Sequence, residues 1–148
     1  MHLKIASPEK QIYEGEVEQV TLPTESGEIT LLPGHIPLTS VVGAGILRCT
    51  PSQLPEDTGY VINQWQIHIG VSKGLLYVDG TNLIVLTSLA TTTPSESQEV
   101  LEQMQTKLQA ELEKIKHEWS DEDLEHALLS LEKVTAELRL SKLSHVTH

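Results

Sequence analysis

Residues 74–87 read GLLYVDGTNLIVLT, and this stretch indicates the fold of the first part of the chain. Two apolar runs, residues 75–78 and 83–86, lie on either side of the pair Asp79-Gly80. An Asp-Gly pair between such runs is a strong signal for a tight two-residue β-hairpin turn. The stretch therefore predicts two antiparallel strands joined by a hairpin.

Similar runs of alternating or β-branched residues recur towards the N-terminus. They cover residues 2–6, 17–22, 29–32, 46–50 and 59–69, and turn residues at 25–27, 33–34 and 72–74 separate them. About seven to ten short strands without intervening helices predict an antiparallel sandwich or barrel rather than a parallel sheet. We assign residues 1–90 to this β domain.

The composition of the chain changes after Pro94. All 9 Gly and all 7 Pro lie at or before this residue, so residues 95–148 contain neither. Because Gly and Pro are costly inside helices, the second part is expected to be helical. The polar segment Thr91-Thr92-Thr93-Pro94 is typical of a hinge, which we place at residues 91–94.

Two amphipathic helices are expected after the hinge, at residues 95–119 and 121–143. Apolar residues recur every three or four positions in each helix: Leu101, Met104, Leu108, Leu112, Ile115 and Trp119 in the first, and Leu124, Ala127, Leu128, Leu131, Val134 and Leu138 in the second. Ser95 with Gln98 predicts a capping box. The short connection predicts an antiparallel hairpin, whose apolar faces need a third surface on the sandwich or on another protein.

The charge of the chain excludes some functions. Its 21 acidic and 10 basic residues give a net charge of −11, which repels phosphate backbones and anionic membrane surfaces. No apolar stretch is long enough to span a membrane, and no export or transit signal is visible. We therefore expect no nucleic-acid binding and no direct membrane insertion.

The sequence offers no motif that specifies catalysis. It lacks the Gly-rich phosphate loops and the GxSxG nucleophile motif. The cluster between His117 and His126 lacks the spacing of common metal sites, so it predicts a solvated helical corner. The lone Cys49 reads as a small buried hydrophobe, and His35 as a structural residue of a stiff turn. We expect no active site, no metal and no cofactor.

Three segments carry a family resemblance. They are Leu3-Lys4-Ile5-Ala6-Ser7-Pro8 followed by Tyr13-Glu14-Gly15, then Glu25-Ser26-Gly27-Glu28 through Leu32-Pro33-Gly34-His35-Ile36-Pro37-Leu38, and Ala136-Glu137-Leu138-Arg139-Leu140. Together with the strand-rich domain and the helical end, they resemble the epsilon subunits of rotary F-type ATP synthases over nearly the whole chain. The resemblance implies an N-terminal antiparallel β-sandwich of about ten short strands followed by a C-terminal antiparallel two-helix hairpin.

The resemblance also implies a role and partners. It implies a non-catalytic central-stalk rotor subunit of a proton- or sodium-translocating synthase, in contact with the gamma subunit and the c ring. Such a subunit lies peripherally at the cytoplasmic face of the bacterial inner membrane, or at the plastid thylakoid. The matching partner-binding positions are Ser26, Gly27 and Glu28, with Pro33, Gly34 and His35 framing the same end of the domain. Glu28 either pairs with basic loop residues of the c ring or is merely solvated.

The helical hairpin of this family either folds on the sandwich or extends towards the alpha/beta head and inhibits ATP hydrolysis. The matching regulatory faces are Leu101, Met104, Leu108, Leu112, Ile115, Leu124, Leu128, Leu131, Leu138 and Arg139. Residues 96–101 lack the Asp and Arg of the ATP-binding motif found in some bacterial members, so no ATP binding of that type is expected. The alternative is a stand-alone β-sandwich binding or adaptor module with a partner-docking helical hairpin.

Overall fold

A computed structural model describes residues 1–56, 59–115 and 121–146. The elements, in chain order, are β1 (His2–Ala6), β2 (Gln11–Thr24), β3 (Gly27–Leu31), β4 (Leu38–Val42), β5 (Gly45–Pro51), β6 (Val61–Asn63), β7 (Gln66–Val71), β8 (Gly74–Val78), β9 (Asn82–Thr87), β10 (Ala90–Thr91), α1 (Gln98–Ile115) and α2 (Asp121–Val146). The predicted ten-strand β-sandwich followed by two helices is confirmed. The sequence runs had not indicated β4 and β10 or the full length of β2.

The strands form one mixed sheet that folds over itself. Neighbouring strands follow the order β1-β9-β8-β4-β2-β5-β7-β10, while β3 pairs with β2 and β6 with β7. A further pairing joins β1 to β2, so that β1, β9, β8, β4 and β2 form a closed ring. A closed ring leaves these strands fewer unpaired edges than an open sheet would.

The expectation of a purely antiparallel sandwich was wrong at one pairing. Strand β1 pairs with β9 in parallel, from His2 opposite Asn82 to Ala6 opposite Leu86. Apolar alternation decides which face of a strand is buried but says nothing about the direction of its neighbour. In this register the buried Leu3 lies beside the buried Leu83, so the parallel pairing satisfies the alternation of both strands.

The hairpin between β8 and β9 forms as predicted, with its tight turn shifted by one residue. Asp79 lies opposite Asn82, whose carbonyl accepts a hydrogen bond from the Asp79 N–H, so the two central residues are Gly80 and Thr81. Gly80 has a φ of 102°, the positive value that a type II′ turn needs at its first central position. The Asp79 carboxylate accepts the Thr81 and Asn82 N–H groups, and these hydrogen bonds hold the pKa of Asp79 below its usual value.

The run at residues 59–69, expected as one strand, is a hairpin of β6 and β7. Asn63 pairs with Gln66, so Gln64 and Trp65 form a two-residue turn with φ values of 53° and 65°. A two-residue turn of this kind needs a left-handed backbone at both central residues, and Gly or Asn usually occupies these positions. The sequence signal was therefore absent, and the turn presents Trp65 with 72% of its surface exposed.

The main core lies inside the sandwich and, among the residues that the structure describes, includes none from the helices. Its large side chains with less than 2% exposure include Leu3, Ile5, Val17, Leu22, Leu31, Leu47, Ile67, Ile69, Leu76 and Leu83. Each such side chain contributes about 1.5–3 kcal/mol by burial. Cys49 belongs to this core, as expected, and desolvation raises the pKa of its thiol to about 12.

Helix α1 begins at Gln98, three residues later than expected. Ser97 caps it, because its hydroxyl accepts the Val100 N–H at 3.4 Å. The predicted capping box on Ser95 was wrong. The Ser95 hydroxyl donates instead to the buried Glu137 carboxylate of α2, at 3.0 and 3.1 Å from its two oxygens. Residues 116–120, between the two helices, lie outside the residues that the structure describes.

The hairpin is folded against the sandwich through α2. This helix contacts β5, β6, β7 and β10, whereas α1 packs mainly on α2. A side-chain carbon on Gly70 of β7 would lie 2.7 Å from the Ala136 Cβ atom, so the missing side chain permits the close approach. The Ser72 hydroxyl donates to the Glu132 carboxylate at 2.7 Å. Small residues and polar links thus hold α2 in place.

Candidate partner-binding surfaces

The turn between β2 and β3 presents Ser26 and Gly27 to solvent. Thr24 faces Gly27 across the turn, and its hydroxyl donates to the Gly27 carbonyl at 2.6 Å and accepts the Ser26 N–H at 3.2 Å. Gly27 has a φ of 114°, which disfavours any other residue there. Apart from Gly27 itself and its two chain neighbours, no heavy atom lies within 4 Å of the position that its Cβ would occupy. The turn is therefore a rigid surface with an accessible backbone.

Glu28 is exposed but paired within the chain. Its carboxylate lies 3.3 Å from the Arg48 Nη2 atom on β5. The sequence had suggested either a bond to a partner or simple solvation, and the structure shows this third arrangement. An exposed ion pair contributes at most about 1 kcal/mol, so a partner cation could displace Arg48 at small cost.

The loop after β3 holds Pro33, Gly34 and His35 against the β8–β9 turn. The Gly34 N–H donates to the Gly80 carbonyl at 3.1 Å, and Gly34 has a φ of 84°. The His35 Nδ1 atom donates to the Ile36 carbonyl at 2.7 Å, which fixes the ring on its own loop, as a structural histidine. Ile36 itself is 75% exposed. The sequence analysis did not single it out, although an apolar residue beside Pro37 in a polar turn is a usable signal.

The structure separates two groups of predicted residues that had been placed at one end of the domain. Ser26 and Gly27 lie at the start of β3, whereas Pro33 and Gly34 follow its end. A five-residue strand spans about 15 Å, so the two groups occupy opposite ends of the sandwich. Nearness in sequence had suggested a common surface, but an extended strand maximises the distance between its ends.

The outer face of β4, β8 and β9 carries an apolar patch that the sequence analysis missed. Val41, Leu75 and Leu86 lie side by side across the three strands, and Tyr77 lies next to them on β8. Leu75 and Leu86 are each more than half exposed, at 53% and 52%. The opposite face of the same strands is core. A strand that is apolar on both faces is the signal, since alternation with polar residues is expected where one face meets water.

The regulatory residues predicted on the helices lie in three environments. Leu101 and Leu138 are buried in the seam between the helices, together with Val134. Others are half-buried, namely Leu108, Leu112, Leu124 and Leu131. Met104, Leu128 and Arg139 are exposed, the first two at 41% and 49%, so the predicted apolar faces are only partly covered in the folded hairpin. The side chain of Ile115 lies outside the described part.

Helix α2 buries two of its sides. One side, with Val134 and Leu138, faces α1. Another meets the sheet, where Ala136 packs on Gly70. Leu140 is fully buried as well and was not predicted. A single stripe is therefore a poor description of a helix that lies between a sheet and a second helix.

Neither a metal cluster nor a membrane span is found in the described ranges. They contain no group of three or more His, Cys, Asp and Glu that could hold a metal ion. The first residues of the acidic corner, His117 and Glu118, lie outside these ranges. No described helix is long and apolar enough to cross a membrane.

Comparison with known sequences identifies the sandwich. The family model described as the ATP synthase Delta/Epsilon chain, beta-sandwich domain, matches residues 1–93. The ATP synthase epsilon chain of Prochlorococcus marinus strain MIT 9312 is 34% identical over 88 residues, which are 60% of this chain and 58% of the relative. The chain thus aligns with little more than half the length of the first such relatives. The epsilon chain of strain MIT 9515 is 26% identical over 140 residues, 95% of this chain and 96% of the relative.

Two solved structures share the fold. A chain of the Euglena gracilis mitochondrial ATP synthase, in a structure of OSCP, F1 and c ring, gives a TM-score of 0.65 at 18% identity, over 93% of this chain and 78% of that one. A chain of the Tetrahymena thermophila mitochondrial ATP synthase, in a structure of the central stalk and c ring, gives a TM-score of 0.52 at 8% identity. The match covers 97% of this chain and 96% of that one. The family match covers residues 1–93 of 148, and the chain accordingly belongs to the delta/epsilon-chain family of ATP synthases.

Proposed function

We propose that the chain is an epsilon-type subunit of the central stalk of a rotary F-type ATP synthase, which joins the gamma subunit to the c ring and has no active site of its own. The observation that carries the proposal is the family match over the whole sandwich, residues 1–93. The alignment over 95% of the chain to an epsilon chain supports extending it to the helices. The subunit then lies peripherally, at the cytoplasmic face of a bacterial inner membrane or at a thylakoid.

The gamma subunit is the occupant proposed for the apolar patch of Val41, Leu75, Tyr77 and Leu86. An apolar patch of this kind is costly in water and typically marks a protein interface. α2 covers the sheet at β5–β7 and leaves this patch open. The loop at Pro33–His35 lies beyond the Tyr77 side of this patch, because it leads into β4, whose Thr39 is paired with Tyr77. Gamma would therefore contact both.

The c ring is proposed to contact the opposite end, at Ser26, Gly27 and Glu28. Its polar loops need hydrogen-bond partners, which the accessible backbone of the turn supplies. The Glu28 carboxylate adds a charge that can leave Arg48 at little cost. The two ends of β3 thus serve two partners, in place of the single surface expected from sequence.

The helical hairpin is proposed as a detachable brake on ATP hydrolysis. The structure holds it in the folded state, in which Leu101, Val134 and Leu138 are covered. When α2 leaves the sheet, Ala136 and Leu140 lose their cover and need a new surface. The alpha/beta head would provide that surface in the extended state.

Reconstitution tests the stalk role and the brake together. A complex of alpha, beta and gamma subunits is assembled with the full chain or with a chain that ends after Pro94. The shortened chain keeps the whole sandwich core, which among the described residues includes none from the helices. Both chains should co-purify with gamma, and only the full chain should slow ATP hydrolysis. If neither binds, the stalk role is wrong and an adaptor role takes its place; if both bind and neither slows hydrolysis, only the brake is wrong.

A pair of variants tests the gamma-binding patch. Leu75→Glu places a charge in the patch, while Leu128→Glu places one on the exposed face of α2, at nearly the same starting exposure. We expect Leu75→Glu to weaken gamma binding at least about tenfold, because a buried unpaired charge is strongly unfavourable. Leu128→Glu should leave it unchanged. Equal effects of both would contradict the assignment.

A further inference from the structure

The linker between the sandwich and α1 is fastened to α2 through a serine. Ser95 lies between the end of β10 at Thr91 and the start of α1 at Gln98. Its hydroxyl lies 3.1 and 3.0 Å from the two oxygens of the Glu137 carboxylate, 42 residues further along the chain. This hydrogen bond therefore connects the linker to the helix that docks on the sheet.

The Glu137 carboxylate is buried and needs that hydroxyl. The residue is only 4% exposed and follows Ala136, which packs on the sheet at Gly70. No ion pair among the described residues includes Glu137. A buried carboxylate requires hydrogen-bond donors in place of water, and the Ser95 proton is the donor that the linker supplies. A chemical change at the Ser95 hydroxyl therefore acts directly on the packing of α2.

Ser95 is nevertheless accessible from solvent. The residue is exposed, and residues 92–97 are neither helix nor strand. Five of the seven residues 91–97 carry a hydroxyl group, and the exposed Glu96 and Glu99 follow Ser95. Protein kinases act on exposed segments outside regular structure and select them partly by the charges near the hydroxyl. Acidic residues after the serine fit a kinase that prefers acidic substrates.

We propose that Ser95 is a phosphorylation site and that its phosphorylation releases the helical hairpin from the sandwich. In the reaction, the Ser95 oxygen attacks the γ-phosphorus of an ATP molecule bound to a protein kinase. A new O–P bond replaces the bond between that phosphorus and the bridging oxygen, so ADP leaves. The hydroxyl proton passes to the catalytic base of the kinase, and this chain supplies only the hydroxyl.

The phosphate changes the contact with Glu137 in two ways. It removes the proton that the carboxylate accepts, and it adds a charge of about −2 beside a group that is already negative. Like charges repel more strongly in a partly buried place than in water. Lys133, one turn before Glu137, is exposed and could pair with the phosphate, but exposed ion pairs contribute little. The undocked arrangement, in which water hydrates both anions, is therefore favoured.

Ser97 offers a matched comparison two residues further on. It is exposed as well, and its hydroxyl accepts the Val100 N–H at the start of α1. A phosphate at a helix N-terminus is stabilised by the free N–H groups and the helix dipole. The same group should therefore loosen the hairpin at Ser95 and leave it docked at Ser97.

Release of the hairpin is separate from the stalk role. It concerns the docking of α2 within the isolated chain, and it holds whether or not the released helices slow ATP hydrolysis. Its measurements involve neither gamma nor the c ring, so either proposal can fail without the other.

Hydrogen exchange of the full chain, with phosphoserine incorporated at one position at a time, tests the release. Ser95→Ala removes only the hydrogen bond and should speed exchange in α2 about tenfold, the change expected for one hydrogen bond to a charged group. Phosphoserine in place of Ser95 adds the repulsion and should exceed this change. Glu137→Gln should reduce the difference between the two. The buried Cys49 should stay unreactive throughout, which verifies that the sandwich is folded.

A second measurement tests the site itself. The full chain is incubated with ATP and an acid-directed serine/threonine protein kinase, and mass spectrometry locates the phosphate. Phosphate at Ser95 supports the proposal, and its absence from Ser95 overturns it. Unchanged exchange in α2 with phosphoserine at this position also overturns it, as does slower exchange, the result expected if Lys133 captures the phosphate. An equal change with phosphoserine in place of Ser97 would likewise contradict the role of Glu137.

Discussion

The sandwich and the helical hairpin are held together in different ways. In the described part of the chain, eighteen buried apolar side chains from the strands form one continuous core inside the sandwich. The hairpin has a seam of three buried residues, Leu101, Val134 and Leu138, with Leu108 beside them. Its attachment to the sheet relies on Ala136 against Gly70 and on hydrogen bonds such as Ser72 to Glu132. The first unit carries its own stability, and the second depends on the first.

The difference explains how one small chain could combine a rigid part with a movable part. Undocking α2 costs a few close contacts and hydrogen bonds, whereas opening the sandwich exposes the whole core. A segment with less buried apolar surface opens at a lower free energy than the global unfolding. The following variants test whether these two free energies are as different as the packing indicates.

The largest effect is expected from the core of the sandwich. Ile69→Ala removes most of a fully buried side chain and should lower the free energy of unfolding by about 2–5 kcal/mol. Urea unfolding measures it, and Leu86→Ala, at an exposed position of β9, is the control. A loss below about 1 kcal/mol for Ile69→Ala would show that the core is less tightly packed than described.

A smaller effect, confined to the hairpin, is expected from Gly70→Ala. The added methyl group would lie 2.7 Å from the Ala136 Cβ atom and 2.8 Å from the Thr91 Cγ2 atom, so α2 must move away. Overpacking of this kind costs about 1–3 kcal/mol. Hydrogen exchange should quicken in α2, while the buried Cys49 thiol, with its pKa raised to about 12, should stay unreactive towards thiol reagents.

Gly43→Ala is the matched control for that variant. A Cβ at Gly43 meets only ordinary contacts with the Thr24 backbone, at 3.5 Å. It should leave exchange in α2 unchanged. If Gly70→Ala exposes Cys49 as readily as it frees α2, the two units unfold as one and the distinction between them fails.

A pH-dependent effect is expected from His68, where the two units meet. Desolvation, with a further contribution from Arg48, lowers the pKa of His68 from 6.5, so the folded protein binds fewer protons than the unfolded one. The free energy of unfolding should therefore decrease as the pH falls below 6.5. His68→Gln should flatten this decrease in a series of urea titrations, and an unchanged slope would remove His68 as its source.

His2 should act in the opposite sense. Hydrogen bonds to Glu14 and Glu16 raise the pKa of this exposed histidine above 6.5. Its contribution is fully present below pH 6.5 and is lost as the pH rises through the folded pKa. His2→Gln therefore changes the slope only above pH 6.5, which distinguishes the two histidines in the same experiment.

The smallest effect on stability is expected from Glu28→Gln. The Glu28–Arg48 pair is exposed, so its loss should change the free energy of unfolding by less than about 1 kcal/mol. Binding to the c ring, measured by co-purification, should fall much more if Glu28 contacts a basic loop there. A large loss of stability with unchanged binding would mean that the pair serves the fold alone.

The sequence predicted the strands and turns of the sandwich where local signals exist. It failed where contacts between residues far apart in the chain determine the structure. The Asp79-Gly80 signal located a hairpin because Gly80 supplies a positive φ that few residues adopt. The Gln64–Trp65 turn has no such residue, so it was missed. The parallel partner of β1 lies some eighty residues away, and no pattern within β1 could identify it.

The candidate surfaces were harder to predict for the same reason. Turns were predicted at residues 25–27 and 33–34, and the structure has turns at 25–26 and 33–34, but the distance between them depends on the strand that joins them. Leu128 matches the helical period and is nevertheless exposed, because the sheet and α1 together decide which sides of α2 are buried.

The pairing of β1 with β9 also sets the order in which the protein is completed during synthesis. β1 finds one neighbour at once, in β2, but its other edge stays open until Asn82–Thr87 has been made. A nascent chain halted before that point exposes an unpaired strand edge beside apolar side chains, a state prone to association. The ring closes only with the ninth strand, so its last edge is sealed late in synthesis, shortly before the helices are made.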